Sequence, residues 1–121
     1  MRHRKVKVEM YNFRVDVMEV ESKDDADYLS RFFSRLGLKD PFVDEIIDAV
    51  KDGDVDGGYT FACYGIKRIV VVLLEMRSDE RRREVMMHEK RHVEDDILHH
   101  CSIEDGEASA YLAGYLGKYM F

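Results

Sequence analysis

Apolar and polar side chains alternate through the first twenty residues, as in strands that bury one face. Val6 and Val8 occupy even-numbered positions, whereas Phe13, Val15 and Val17 occupy odd-numbered positions. The parity changes at residues 11–12, which predicts either a β-bulge or a tight hairpin at that point. Residues 5–20 are therefore predicted to be extended.

Two helical patterns follow this extended segment. Ser22 with Asp25 three residues later is typical of a helix N-terminus, and apolar residues at helical spacing then lead to Gly37. An Asp-Pro pair at residues 40–41 begins the second helix, because Asp caps a helix and Pro is tolerated in its first turn. The second pattern ends at Gly53.

The second half of the chain predicts two strands and two more helices. The strands lie at about residues 59–64 and 68–75, and the later one is apolar on both faces, which places it inside or beside the core. Ser78, followed by two acidic residues, begins a long helix that should reach about His100. A last helix is predicted over residues 102–119.

This order of elements predicts one α+β domain over residues 1–121, with a small antiparallel or mixed sheet and about four helices. Hydrophobic residues make up 45% of the chain and charged residues 36%, which is typical of a globular protein. No apolar run approaches the length of a membrane span, and the basic start does not resemble a secretory signal. We therefore expect a cytoplasmic protein with two reduced cysteines, no membrane partner and a possible homodimer. The formal charge of -6 argues against a general nucleic-acid binder.

The long helix carries the motif His-Glu-x-x-His at residues 88–92. His88 and His92 are four positions apart, so their imidazoles share one helix face and can bind one metal ion. Zinc is the usual occupant of such a site, at one ion per chain. Glu89 then lies beside a metal-bound water and could act as its general base. The motif predicts a zinc-dependent metallopeptidase that hydrolyses a peptide bond, with a peptide or protein as substrate.

A catalytic zinc site needs a third protein ligand. Glu107 is the preferred candidate, because small residues share its stripe and would let the last helix approach the motif; Glu104 is the reserve. Asp96 is too far along the helix axis to bind the same ion, but it could orient a ligand histidine. Tyr111 is a candidate donor for the oxyanion, although packing is the more common role of such an aromatic residue.

These segments together resemble a known family. A strand at residues 67–72, the helix at 78–92 and the Glu-bearing stretch at 107–112 are similar to the gluzincin metallopeptidases. The closest likeness is to the minigluzincins, which include regulator-cleaving peptidases found with mobile elements. The resemblance spans about residues 59–118. It implies that the strand before the motif helix lines the cleft and holds an extended peptide by β-augmentation. The residues to which it gives this role include Arg68, Val70 and Val72.

The chain departs from the family pattern in two places. Thermolysin-like members carry Glu-x-x-x-Asp on the second helix, whereas Tyr111 stands four residues after Glu107 here. Lys90 and Arg91 place two cations inside the motif, where they could depress the basicity of Glu89. Because of these departures, a non-catalytic zinc-binding or interaction protein remains an alternative function. A weaker alternative is a nucleic-acid accessory protein that uses the arginines of residues 81–83, although such a charge run is more often a solvated helix face.

Overall fold

The computed structural model describes residues 1–121 and contains a mixed four-stranded sheet with four α-helices, which confirms the predicted fold class. The strands are β1 (Arg2–Val8), β2 (Phe13–Glu19), β3 (Gly58–Cys63) and β4 (Arg68–Leu73). The α-helices are α1 (Ala26–Arg35), α2 (Pro41–Lys51), α3 (Asp79–His100) and α4 (Gly106–Tyr119).

Both hairpins use the same connection. A short 3₁₀ turn follows the first strand of each, at Glu9–Tyr11 and Tyr64–Ile66. Each turn ends in a residue with left-handed backbone, Asn12 at φ 55° and Lys67 at φ 52°. The change of parity at residues 11–12 is therefore a hairpin and not a bulge.

Side-chain caps fix the helix starts. Asp40 accepts a hydrogen bond from the backbone N–H of Phe42, and Ser78 accepts one from Arg81. The last helix begins later than predicted, at Gly106, because Ser102 has a left-handed backbone (φ 53°) that ends the preceding helical run.

The sheet has the strand order β1-β2-β4-β3. The two central strands, β2 and β4, are parallel, with Arg14 opposite Arg68 and Val17 opposite Val71. The outer strands β1 and β3 each run antiparallel to their central neighbour. The free edges of the sheet therefore belong to β1 and β3.

Each face of the sheet carries one pair of helices and one apolar core. Helices α1 and α2 pack on the face that bears Met18 and Val72, whereas α3 and α4 pack on the face that bears Val15 and Val71. The central strand β4 is buried on both faces, as its continuous apolar pattern predicts.

The chain consists of two halves with the same order, a hairpin followed by two helices. Strands β2 and β4 are parallel, and their helix pairs cover opposite faces of the sheet. The two halves are therefore related by an approximate two-fold rotation, a half-turn about an axis parallel to these strands. The equivalent helices differ in length: α1 has 10 residues and α3 has 22. At 1.5 Å per residue, α1 is about 15 Å long and α3 about 33 Å.

Candidate metal centre

Helix α3 buries one side against the sheet and presents the two histidines of the motif on its exposed side. Met86, Val93 and Ile97 are fully buried against the sheet, as their helical spacing predicts. The imidazoles of His88 and His92 lie on the exposed flank of the helix. The side chain of His88 is 70% exposed, so the ring is accessible to a metal ion and to a substrate.

The two imidazoles converge on one point. Nε2 of His88 lies 3.2 Å from Nε2 of His92, and the rings meet edge to face with their centroids 4.8 Å apart. Two nitrogens bound to one tetrahedral zinc ion at its usual distance of 2.0–2.1 Å lie about 3.3 Å apart. The observed separation fits a shared ion, and it also fits a hydrogen bond between the two rings.

The side chain of Glu89 points toward the sheet and lies against β3. It is 4% exposed, and its Oε2 accepts a hydrogen bond of 2.6 Å from the Thr60 hydroxyl on β3. Its Oε1 lies 3.9 Å from Nε2 of His88. A carboxylate that shared a tetrahedral ion with this nitrogen would approach it to about 3.3 Å. In this arrangement Glu89 is beside the histidine pair rather than at a ligand distance, and one of its oxygens is held by Thr60.

Strand β3 reaches this close approach through a glycine. A methyl group at Gly58 would lie 2.9 Å from Cγ of Glu89 and 2.9 Å from Cγ1 of Val85. Real Cβ atoms do not approach neighbours so closely, so Gly58 lets the strand lie directly on α3. Neither Gly58 nor Thr60 was identified from the sequence, because a contact between a strand and a helix about thirty residues later leaves no local pattern.

His88, Glu89 and His92 form a group whose ligand atoms lie within 4.8 Å of one another. Glu107 is not part of this group. Helix α3 continues for eight residues beyond His92, about 12 Å, before the chain turns back. The far end of α4, not its start, lies beside the motif, because a methyl group at Gly117 would be 3.6 Å from Cε of Lys90.

Glu107 instead lies exposed in the first turn of α4. The prediction that it shares an ion with the two histidines is therefore not supported by this arrangement of helices. The reserve candidate Glu104 lies in the loop before α4 and is also outside the group.

Asp96 forms its side-chain hydrogen bond with a tyrosine and not with a histidine of the motif. It accepts a hydrogen bond of 3.2 Å from the Tyr64 hydroxyl. Burial raises the pKa of Asp96 above its ordinary value, and the bond from Tyr64 opposes that rise. The predicted hydrogen bond from a ligand histidine to Asp96 is not present. Tyr111 is 62% exposed on α4 and has no hydrogen bond to the motif.

The predicted substrate strand is in the wrong place for that role. Arg68, Val70 and Val72 belong to β4, and both edges of β4 are already paired, with β2 and with β3. A strand without a free edge cannot hold a peptide by β-augmentation. The edge strand beside the motif helix is β3.

The two cations of the motif have partners of their own. Nζ of Lys90 lies 3.0 Å from Glu94, and Arg91 lies 3.4 Å from Asp95. These pairs direct both charges toward the next turn of α3 and away from Glu89.

The cysteine Cys63, at the end of β3, lies outside the group formed by His88, Glu89 and His92. Burial raises the pKa of its thiol.

Comparison with known proteins does not add to this geometry: no protein-family model, curated protein or solved structure matches the chain. None of the helices has the length and apolar character needed to cross a membrane.

Proposed function

We propose that the chain is a zinc-dependent peptidase in which His88 and His92 supply two of the zinc ligands and Glu89 is the general base. The proposal depends on the different contacts of the two carboxylate oxygens of Glu89. Its Oε2 accepts a hydrogen bond from Thr60, whereas its Oε1 faces Nε2 of His88 at 3.9 Å. Zinc bound by the two histidines would polarise a peptide carbonyl and lower the pKa of a coordinated water.

Glu89 would take the proton of the attacking water and pass it to the leaving amine. Its carboxylate is suited to this because Thr60 fixes its orientation without using the oxygen nearest the histidines. Burial beneath β3 also keeps bulk water from one side of the group.

The substrate would bind as an extended peptide along β3. This strand is paired only with β4, so its outer backbone groups are free to form a further ladder. Since Thr60 of β3 contacts Glu89 directly, a peptide on that edge would run past the motif.

A non-catalytic zinc protein is the second candidate. It is favoured by the absence of Glu107 from the group, because Glu89 is then the nearest carboxylate to serve as third ligand. A carboxylate bound to zinc would no longer be free to act as the base. The two candidates therefore assign opposite roles to Glu89.

The Glu89→Gln variant separates these roles. As a base, Glu89 can be replaced without loss of zinc, while peptide hydrolysis falls by roughly 10²- to 10⁴-fold. As a ligand, its loss should weaken zinc binding by more than the roughly 10- to 100-fold that is typical of an outer partner. Zinc affinity is measured by competition with a chromogenic chelator, and hydrolysis by mass spectrometry of a digested peptide library.

Two further variants complete the test. Glu84→Gln makes the same chemical change on an exposed part of α3 and should alter neither measurement. His88→Ala combined with His92→Ala should abolish zinc binding. Purified wild-type protein that stays well folded but binds no zinc would overturn both candidates.

A further inference from the structure

Six cations gather around the sheet face opposite the candidate metal centre: four lie on that face, one on α1 and one in the turn between β3 and β4. Two adjoining grooves, of about 680 and 640 Å³, share Lys5, Arg14 and Arg68 as lining residues. We refer to them together as the basic cleft. Its cations are Lys5, Lys7, Arg14, Arg35, Lys67 and Arg68. No carboxylate lines either groove, although the chain as a whole carries a formal charge of -6.

Three of these cations stand in a row across three strands. Lys7 is directly opposite Arg14, and Arg14 is directly opposite Arg68. With strands about 4.8 Å apart, the row spans about 10 Å. Like charges placed directly opposite one another destabilise a sheet. The repulsion between Lys7 and Arg14 therefore opposes the stability of the sheet.

One carboxylate lies beneath the row. Asp16 is completely buried, and its oxygens lie 2.6 Å from Arg68 and 2.8 Å from His3. Arg14 is farther away, at 3.8 Å. Asp16 therefore orients Arg68 but leaves most of the charge of the basic cleft uncompensated. The buried Nε atoms of Arg14 and Arg68 have no hydrogen-bond partner within the protein.

We propose that the basic cleft binds the phosphate backbone of a single strand of nucleic acid. Lys and Arg side chains offer only donors, and the phosphate oxygens of such a strand are acceptors. Guanidinium groups match phosphate with paired hydrogen bonds. Lys5 and Lys7 are two positions apart on β1, about 7 Å, which is comparable to the separation of successive phosphates.

An acidic peptide matches the basic cleft less well. The cleft lies on the face of the sheet, and of its strands only β1 has a free edge. The amide groups of a bound peptide would find few acceptors among cationic side chains. A phosphodiester backbone has no such donors to satisfy. The narrow row beside α1 also favours one strand over a duplex.

This inference is independent of the proposed peptidase function, because the motif and the basic cleft lie on opposite faces of the sheet. The negative net charge of the chain is an average over both faces. A local concentration of one sign still produces a strong field over its own surface.

Fluorescence anisotropy with a labelled single-stranded oligonucleotide of mixed sequence tests the proposal. The decisive variant is Lys5→Gln with Lys7→Gln, since both side chains are exposed and the fold should not change. Loss of two phosphate contacts should weaken binding about tenfold at low salt. It should also reduce the slope of log K against log salt by about 1.4.

The matched control is Arg81→Gln with Arg83→Gln, which removes the same charge from the exposed start of α3. Binding by this control should equal that of the wild type. Absence of binding at low salt, or an equal loss in the control, would overturn the proposal. Two competitors test the kind of ligand: tighter binding of the matching duplex, or equally tight binding of polyglutamate, would also overturn it.

Discussion

The two halves of the chain place helices of different length over the two faces of one sheet. In the second half, α3 reaches along the whole face, so that Phe13 at the start of β2 is buried and its ring meets that of His100. In the first half, α1 is too short to cover the starts of the central strands, and Arg14 and Arg68 stand there instead. The length of the helix therefore decides whether the starts of the central strands are covered, as on the α3 face, or form an open cleft, as on the α1 face.

The same difference separates the two candidate sites. The long helix α3 places the motif beside the edge strand β3. The short helix α1 leaves the charged residues of the basic cleft uncovered. Asp16 of the first half corresponds by the half-turn to Val71 of the second, and both are fully buried. One half thus has an ionic group at a place where the other has an apolar side chain.

The largest effect is expected when this ionic group is broken. Asp16→Ala leaves the guanidinium of Arg68 without its partner, and should lower the free energy of unfolding by about 3 kcal/mol. Urea denaturation measures the change. Asp16→Val combined with Arg68→Met makes this site apolar, like the equivalent site at Val71, and should recover most of the loss. A double variant no more stable than Asp16→Ala would contradict this account.

A smaller effect is expected at the contact between β3 and α3. Gly58→Ala introduces a methyl group 2.9 Å from Glu89 and Val85, and should cost about 1–2 kcal/mol of stability. It should also lower peptide hydrolysis, because Glu89 must move. Gly65→Ala is the matched control, since a methyl group there meets nothing within 4 Å. Equal unfolding midpoints for the two variants would show that the close approach is not a constraint.

The smallest effect has the opposite sign. Lys7→Gln removes one of two like charges that face each other, and should raise stability by about 0.3–0.5 kcal/mol. Thermal unfolding at low and high salt measures it, and the gain should shrink as salt screens the repulsion. Lys39→Gln changes an exposed lysine away from the sheet and should show no gain. A loss of stability in Lys7→Gln would mean that the row of cations supports the fold.

Local pattern was sufficient to predict the elements of this fold. Strands and helices were located to within a few residues because alternation, helical spacing and residues such as Asp40 and Ser78 act over a few positions. The apolar run of β4 also indicated a buried strand. The family resemblance indicated an edge strand at the same residues, and on this point it was wrong.

The sites were less predictable, because they depend on contacts between distant segments. The His88 and His92 pair could be predicted, since it lies within one helix. The position of Glu107 could not, because it depends on how far α3 continues before the chain reverses. Asp16 alternates with apolar neighbours on β2 as a solvated residue would, yet Arg68 and His3 enclose it.

The parallel pairing of β2 with β4 also has a consequence for folding kinetics. Each hairpin and the α3–α4 pair close over short stretches of chain, whereas the β2–β4 ladder joins residues 14–19 to residues 68–73. The loop between them must be ordered before this ladder gains any energy, so its closure carries the largest entropic cost among the strand pairings. We expect the halves to acquire local structure early and the central ladder to form in the rate-limiting step.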